Sequence, residues 1–294
     1  MTVAADTFTF VADLVRKRSA IQLEPGKEYL VESRLLPLAR RAGLAGVDEY
    51  VRGLRTAPRP LEYERVVEAL TTNETSWFRD VTPFQSLTRH IVPELIGKHP
   101  SMRALKVWSA ACSTGQEPYS IAMALLASAP ELAVTITATD LSEKVIERGR
   151  TGRFSQLEVN RGLPAAMLVR HFSRVGIEWE VSQQVREAVA FSRHNLMHTP
   201  PAGGPFDIVF LRNVLIYFDL ATKQEVLRRV QAVVRPGGFL LLGGAETTIG
   251  VDDAWERVPV GRSSVYRLNA RRPASAGSVT RGRAPSSRIP RGAR

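Results

Sequence analysis

KVWSAACSTGQEPYSIAM, residues 106–123, reads as a short buried strand over 106–111, a loop of small residues, and a helix opening near Pro118. Proline suits a first helical position because its φ is already helical and it needs no amide partner there. Ser113, Thr114 and Gly115 are small enough for a ligand to approach the backbone closely. A loop at the carboxyl end of a strand and ahead of a helix is where open α/β sheets bind nucleotides. An ordinary tight strand-to-helix turn is the alternative. The loop lacks the G-x-G-x-x-G spacing, and Glu117 puts a carboxylate where a phosphate would sit. Both features argue for a ligand with a cation near the loop.

The rest of the chain extends the strand–helix pattern on both sides. After the loop helix, VTITATD (134–140) alternates β-branched residues and ends in Asp140, where a ribose-binding carboxylate is expected. Asp140 and Glu143 also have the spacing of a helix-capping box, and both roles are compatible. Residues 188–195 predict a third strand ending in His194 and Asn195. Residues 205–213 predict a strongly apolar fourth strand ending in Arg212 and Asn213, as befits a sheet interior. Asp219 then caps a helix with Val226, Val230 and Val233 on its apolar stripe. Pro236-Gly237-Gly238 turns the chain into a strand over 239–242, and 255–268 holds the last strand or strands. Residues 153–187 break this rhythm. Within them FSRVGIEWEVSQQV alternates around Val175, Ile177, Trp179 and Val181, which predicts a β-hairpin inserted in the sheet domain, either a partner-binding module or a plain connection.

Ahead of the sheet the pattern is helical. Residues 7–20 form an amphipathic segment with Phe10 and Leu14, and with Phe8 and Val11, on its buried face. Residues 27–43 place Val31, Leu35, Leu38 and Ala42 at helical spacing, with Gly43 as the cap and Pro37 as an awkward interior residue. Lys27, Arg34 and Arg41 fall seven apart and make a basic stripe, either a solvated face or a docking face for an acidic helical partner. Helices are expected over 61–70 and 83–98. Between them TTNETSWFRD (71–80) is either a linker, with Trp77 and Phe78 in a core and Arg79 paired to Asp80, or part of a ligand site at a domain junction.

Composition narrows the class. The 294 residues suffice for one large domain and a smaller one, and no apolar run reaches the roughly 18–20 residues of a membrane span. The N-terminal stretch lacks the features of a signal peptide, and the single cysteine, Cys112, excludes an internal disulfide and fits a reducing compartment. A cytoplasmic protein is expected. The net charge is +11, but residues 269–294 hold seven arginines and no acid, so the remainder carries +4. Nucleic-acid binding would rest on that tail, which is expected to be disordered, and is not expected as the function. The division is a helical domain over 1–75, a sheet domain over 76–268 and a basic tail over 269–294.

In a doubly wound sheet the strand ends converge on one crevice. Asp140 suits a ribose, Asn195 and Asn213 suit a base, and Glu117 suits a cationic group. S-adenosylmethionine has all three, whereas the pyrophosphate of NAD would meet Glu117 without a three-glycine loop.

TTNETSWFRD, WSAACSTGQEPYSIAM, the strand ending ATD, FSRHNL, FLRNVLIYFD and PGGFLLLGGAE together resemble the CheR-type chemotaxis receptor methyltransferases over residues 10–268, in order and spacing. The resemblance implies a Rossmann-like class I methyltransferase sheet with helices on both faces, a small inserted β subdomain and an all-helical N-terminal domain. It implies S-adenosylmethionine as cofactor, no metal, and methyl transfer to glutamates of chemoreceptor cytoplasmic helices. Carried onto this chain, the cofactor contacts are Asn73, Thr75, Arg79, Glu117, Asp140, Asn195, Leu196, Arg212 and Asn213. Receptor docking is expected through the stripe of Lys27, Arg34 and Arg41 and through the β subdomain. The arginine tail has no counterpart in the family pattern.

A glutamate acceptor is already ionised near neutral pH, so its attack on the methyl needs no general base. Alignment and exclusion of water remain for the protein to supply. Arg79, with its planar fork, is the expected group for orienting cofactor or acceptor carboxylate. Tyr217, four residues past Asn213, is expected near the transferred methyl, with core packing as the alternative. Cys112 is expected to be a buried filler rather than a nucleophile. A different acceptor, RNA included, and a cofactor-binding scaffold without turnover are the competing functions.

Overall fold

The computed structural model describes residues 3–260 and 263–269, and counts of elements refer to these residues. The expectation of a disordered tail falls outside them. Four helices come first: α1 (Ala5–Ser19), α2 (Glu28–Arg41), α3 (Val47–Thr56) and α4 (Pro60–Leu70). They close on one apolar cluster in which Val11, Val15, Val31, Leu35, Val51 and Val66 have no exposed surface. The buried face of α1 centres on Phe8, Val11 and Val15, whereas Phe10 and Leu14 are only half-buried. Phe10 lies at the rim, edge-on to Tyr63. Ala42 is exposed beyond the end of α2, and Gly43, at φ +74°, closes that helix as expected. Pro37 stays inside α2 without ending it. Helix α3 was not among the expected elements, although Val47, Tyr50, Val51 and Leu54 hold one face of it.

The helix expected over 83–98 is divided. It consists of α5 (Thr82–Ser86), a π turn over Leu87–Ile91, and α6 (Val92–Lys98). Pro93 cannot donate to a carbonyl one turn back, and just before it Val92 bonds five residues back, to Leu87.

The sheet domain then runs β1 (Ala104–Ala110), α7 (Gln116–Ser128), β2 (Ala133–Asp140) and α8 (Glu143–Thr151). The insertion follows as β3 (Arg153–Ser155), α9 (Gln156–Val159), α10 (Ala165–His171), β4 (Phe172–Val175) and β5 (Glu178–Val181), and α11 (Gln183–Glu187) returns the chain to the sheet. The domain is completed by β6 (Val189–Arg193), β7 (Phe206–Leu211), α12 (Leu220–Gln231), β8 (Val234–Leu242), β9 (Trp255–Val260) and β10 (Ser263–Leu268).

The seven strands of the main sheet lie in the order β6-β2-β1-β7-β8-β10-β9. Pairing is parallel from β6 through β8, and β10 runs antiparallel to both its neighbours. This is the Rossmann-like class I methyltransferase arrangement that was expected. Alternate residues feed two cores. Val107, Ile208, Phe210 and Phe239 join the cluster on one face, while Trp108, Val209, Leu211 and Leu240 join that on the other. Every residue of β7 is buried, which accounts for its apolar run over 208–211, and the one polar residue, Asp207, accepts from the Lys106 amide and pairs with Arg235. Chain order reverses between β1 and β7, and the crevice beyond their carboxyl ends is the switch point where such sheets take ligands.

Three local expectations need correction. Helix α7 opens at Gln116, not Pro118, and Pro118 occupies its third position, where an amide would still lack a partner. Pro236-Gly237-Gly238 does not precede a strand but lies within β8, opposite a register shift between Phe206 and Ile208. A Cβ on Gly238 would lie 2.9 Å from the Asp207 carbonyl oxygen, so the irregular crossing needs glycine there. The insertion is a three-stranded sheet in the order β3-β5-β4 rather than a lone hairpin. Trp179 and Val181 turn inward, but Ile177 is 85% exposed in the two-residue turn with Gly176.

Candidate functional site

A cleft of about 890 Å³, the open solvent at its mouth included, lies over the switch point. All ten residues expected from sequence line it: Asn73, Thr75, Arg79, Glu117, Asp140, Asn195, Leu196, Arg212, Asn213 and Tyr217. Its floor is made of strand ends, and its roof comes from the 71–79 segment with Ser19 and Ile21 of the helical domain.

The loop after β1 is tightly wound. Ala111, Ser113 and Gly115 have φ of +60°, +51° and +99°, an unusual concentration of left-handed residues. Asp140 braces it: one carboxylate oxygen accepts from the Ser113 amide at 2.9 Å and the other from the Ser142 amide at 3.0 Å. Burial pushes the Asp140 pKa up, against the downward pull of these amides. The cap of α8 is Ser142, whose hydroxyl accepts from the Val145 amide, so Asp140 and Glu143 do not form the capping box. As the last residue of β2, Asp140 reaches sideways to the β1 loop.

Glu117 and Arg212 form the second anchor. Glu117 accepts from the Ser109 hydroxyl at 2.8 Å and from Arg212 Nη1 at 2.9 Å. Arg212 Nη2 donates to Asp80 Oδ2 at 2.7 Å and to the Arg79 carbonyl at 2.8 Å, and the guanidinium lies over the Phe84 ring. Its side chain is 1% exposed. The expected Arg79–Asp80 pair is therefore replaced: Asp80 serves Arg212, while Arg79 Nη1 donates to the Glu74 carbonyl at 3.1 Å.

The 71–80 segment is strapped across these anchors. Trp77 is buried against Phe154 and Phe172, with ring centroids 4.8 and 5.3 Å away. The Trp77 amide donates to the Arg161 carbonyl at 3.0 Å, and the Ser113 hydroxyl donates to the Asn73 carbonyl at 2.7 Å. The segment leaves through Phe78, Asp80 and Val81, all at positive φ, and the Thr82 amide closes on the Asp80 carbonyl around Val81 in a rare γ-turn. Such strain persists where surrounding contacts over-determine the backbone.

Arg34 holds the near end of the strap. Its guanidinium donates to the Thr71 and Ala69 carbonyls and to the Thr72 hydroxyl. The basic stripe is thus divided: Lys27 and Arg41 are exposed, and Arg34 is half-buried against the end of α4. Arg34→Ala is expected to raise the cofactor Kd about tenfold, equivalent to about 1.4 kcal/mol, measured by calorimetry; an unchanged Kd would show that the strap holds itself.

At the far wall, Asn195 Nδ2 donates to the Arg18 carbonyl at 2.7 Å and its Oδ1 accepts from the Met197 amide at 3.0 Å, tying α1 to the end of β6. Beside it, His194 Nε2 donates to the Thr199 carbonyl at 2.9 Å, and burial lowers the imidazole pKa. Glu68 of α4 accepts from the Ser142 hydroxyl at 2.6 Å and the Lys144 amide at 3.0 Å, at the N-terminus of α8 where a negative charge is favoured.

Sequence reasoning gave no role to Glu246, whose carboxylate takes the backbone amides of the turn carrying Asn213. A lone acid after paired glycines carries no signal of which loop it reaches. Cys112 is a buried thiol whose pKa burial raises, in keeping with a filler. No cluster of metal-ligating side chains occurs among the described residues.

These residues fit S-adenosylmethionine better than a dinucleotide. Acids, side-chain amides and apolar walls at Leu141, Leu196, Val214 and Phe218 surround the cavity. Its two arginines are Arg79 and Arg212, and Arg212 is already matched by Asp80 and Glu117, which leaves little for a pyrophosphate.

Residues 6–71 match the family model described as the all-alpha domain of CheR methyltransferase, and residues 73–262 match that of its SAM binding domain. A chemotaxis protein methyltransferase of Pseudomonas putida is 40% identical over 260 residues, covering 86% of this chain and 94% of that protein. One from Pseudomonas aeruginosa is 38% identical, covering 91% and 99%, and that of Escherichia coli is 36% identical, covering 81% and 83%. Family models that together cover most of the chain, joined to this fold and this cavity, place it in the CheR methyltransferase family, as a chemotaxis-type methyltransferase with an S-adenosylmethionine-binding domain.

Proposed function

We propose that the protein transfers the methyl group of S-adenosylmethionine to glutamate carboxylates on chemoreceptor cytoplasmic helices, forming methyl esters, and that it works in the cytoplasm where those helices lie. One observation supports the choice of acceptor: the buried acids and the imidazole that line the cavity are engaged or sealed, and the remaining acid there, Glu74, is 68% exposed and paired with Arg161 at 2.9 Å. Both oxygens of Glu117 and both of Asp140 are engaged by donors. The Nδ1 of His194 is sealed from solvent, and its Nε2 is bound to Thr199. An amine or hydroxyl acceptor must lose a proton, whereas a carboxylate near pH 7 has already lost it.

When bound, the cofactor supplies an electrophilic methyl on a sulfonium. In this reading Asn195 and Leu196 hold the base, and Asp140 takes the ribose with the lone pairs its amides leave open. Glu117 meets the amino-acid end, while Asn73, Thr75, Arg212 and Asn213 complete the pocket. Arg79 orients the acceptor carboxylate with a bidentate fork. Tyr217 stands beside the transferred methyl. The strap excludes water, which strips hydration from the carboxylate before attack. The exposed Lys27 and Arg41 and the β insertion are the proposed receptor contacts.

The test incubates the protein with methyl-labelled S-adenosylmethionine and receptor cytoplasmic fragments. Base-labile label is expected on the fragments and is expected to vanish when the acceptor glutamates are changed to alanine. Label that resists base, or that survives those substitutions, would refute glutamate as the acceptor.

A further inference from the structure

The turn after β7 brings Arg212, Asn213 and Tyr217 to the cavity, and its own bonds, from the Tyr217 and Phe218 amides to the Val214 and Leu215 carbonyls at 3.2 and 3.1 Å, hold only its later half. Asn213 has φ +58°, a left-handed conformation that asparagine tolerates better than most residues but does not enforce. The restraint comes from a residue beyond β8. One oxygen of Glu246 accepts from the Val214 amide at 2.9 Å and the Ile216 amide at 3.3 Å; the other accepts from the Asn213 amide at 2.8 Å and the Gly243 amide at 2.7 Å. A carboxylate has about four acceptor sites, so these amides saturate it. Gly243 provides the room: a Cβ there would lie 2.6 Å from Asn213 Nδ2 and 2.8 Å from Glu246 Oε2. Gly243 and Glu246 make one seat for the turn.

Glu246 does not line the cofactor cavity. It faces a neighbouring groove with Asp80, Thr82 and Tyr266, on the outer side of the turn. Its bonds reach the turn and its own glycine, and none runs to Asp140 or Asn195 on the adenosine side.

We propose that Glu246 is a positioning residue for methyl transfer: it fixes the turn that carries Tyr217 towards the methyl and its acceptor and seats Asn213 at the pocket wall, and takes no part in bond making. The role in transfer rests on the function proposed above; the hold on the turn does not. Glutamine at 246 keeps the shape but presents an amide NH₂ to backbone donors, and aspartate is one methylene too short. Alanine at 243 disturbs the same seat from the other side.

Glu246→Gln and Gly243→Ala are compared with wild type in the full chain, by hydrogen exchange, by calorimetry with S-adenosylmethionine and by transfer kinetics. Amides of the 211–217 peptide are expected to exchange at least about tenfold faster, with the rest of the sheet unchanged. Cofactor Kd is expected to stay within about fivefold while kcat falls about thirtyfold, as for a small misplacement of reacting groups. Glu246→Asp is expected not to rescue kcat. Unchanged exchange in the turn would overturn the proposal, and so would a loss of kcat no larger than the loss of cofactor affinity. A wild-type protein that labels no glutamate would instead fail the functional reading, and exchange would still decide whether Glu246 holds the turn.

Discussion

Arg212→Ala is expected to cost the fold about 3 kcal/mol and to abolish measurable cofactor binding in the same protein. The side chain is 1% exposed and joins the end of β7 to two other pieces: Glu117 at the start of α7, and the strap through Asp80 and the Arg79 carbonyl. Removing one partner of a buried pair leaves the other charge without compensation, typically at about 3–5 kcal/mol. The lower end applies because Asp80 is half exposed and regains water, whereas the Glu117 side chain, 12% exposed, keeps only the Ser109 hydroxyl. Cofactor binding fails because the strap loses its tie to the strand end just as Glu117 becomes an unbalanced buried charge. Urea unfolding and calorimetry measure the two effects. Adding Glu117→Gln should restore part of the stability, since the stranded charge is gone, but not the binding. If the double variant is no more stable than the single one, the ion pair is not the cause.

Gly162→Ala should be nearly as damaging, by backbone geometry instead of charge. Gly162 has φ +95°, and a Cβ there would stand 2.4 Å from the Trp77 carbonyl oxygen. The contact lies where the insertion meets the strap, next to the bond from the Trp77 amide to the Arg161 carbonyl. An alanine must leave its φ or push Trp77 away, at a combined cost of about 2–4 kcal/mol. The cofactor Kd is expected to rise about a hundredfold, equivalent to about 2.7 kcal/mol. Gly176→Ala is the control. Gly176 also has positive φ, +62°, but a Cβ there meets nothing within 4 Å. It should cost only about 1 kcal/mol and leave the Kd unchanged. Equal losses in both variants would mean that conformation alone, and not the approach to Trp77, accounts for Gly162.

What the sequence made legible was periodicity and contiguity. β7 announced itself because six successive buried residues leave no polar face to confuse the pattern. The ten expected residues meet in one cavity because most lie at or beside strand ends, which the sheet topology gathers, whereas the 71–80 motif stood open between linker and site until the family resemblance weighed it. Choices of partner were less legible. Asp80 was read as the partner of adjacent Arg79, yet it serves a guanidinium 132 residues away, because Arg212 is buried beside it and the half-exposed Arg79 is not. Arg34 shared a period with Lys27 and Arg41, and period alone could not reveal that the end of α4 would draw it inward. Ile177 kept the alternation of its neighbours but fell in a turn, where alternation no longer assigns a face.

The roof of the cavity has a thermodynamic consequence. Ser19 and Ile21 come from the helical domain, and Asn195 and Glu68 bond across the same boundary. Whatever fills the space touches both domains, so its chemical potential adds to the free energy that keeps them together. At a hundred times its Kd a ligand contributes about 2.7 kcal/mol to the folded state. The spent cofactor keeps the adenosine and amino-acid ends and lacks only the transferred methyl, so it too would act as a staple across the boundary. Either form of the cofactor is then expected to raise the melting temperature of the protein, by an amount that grows with its concentration.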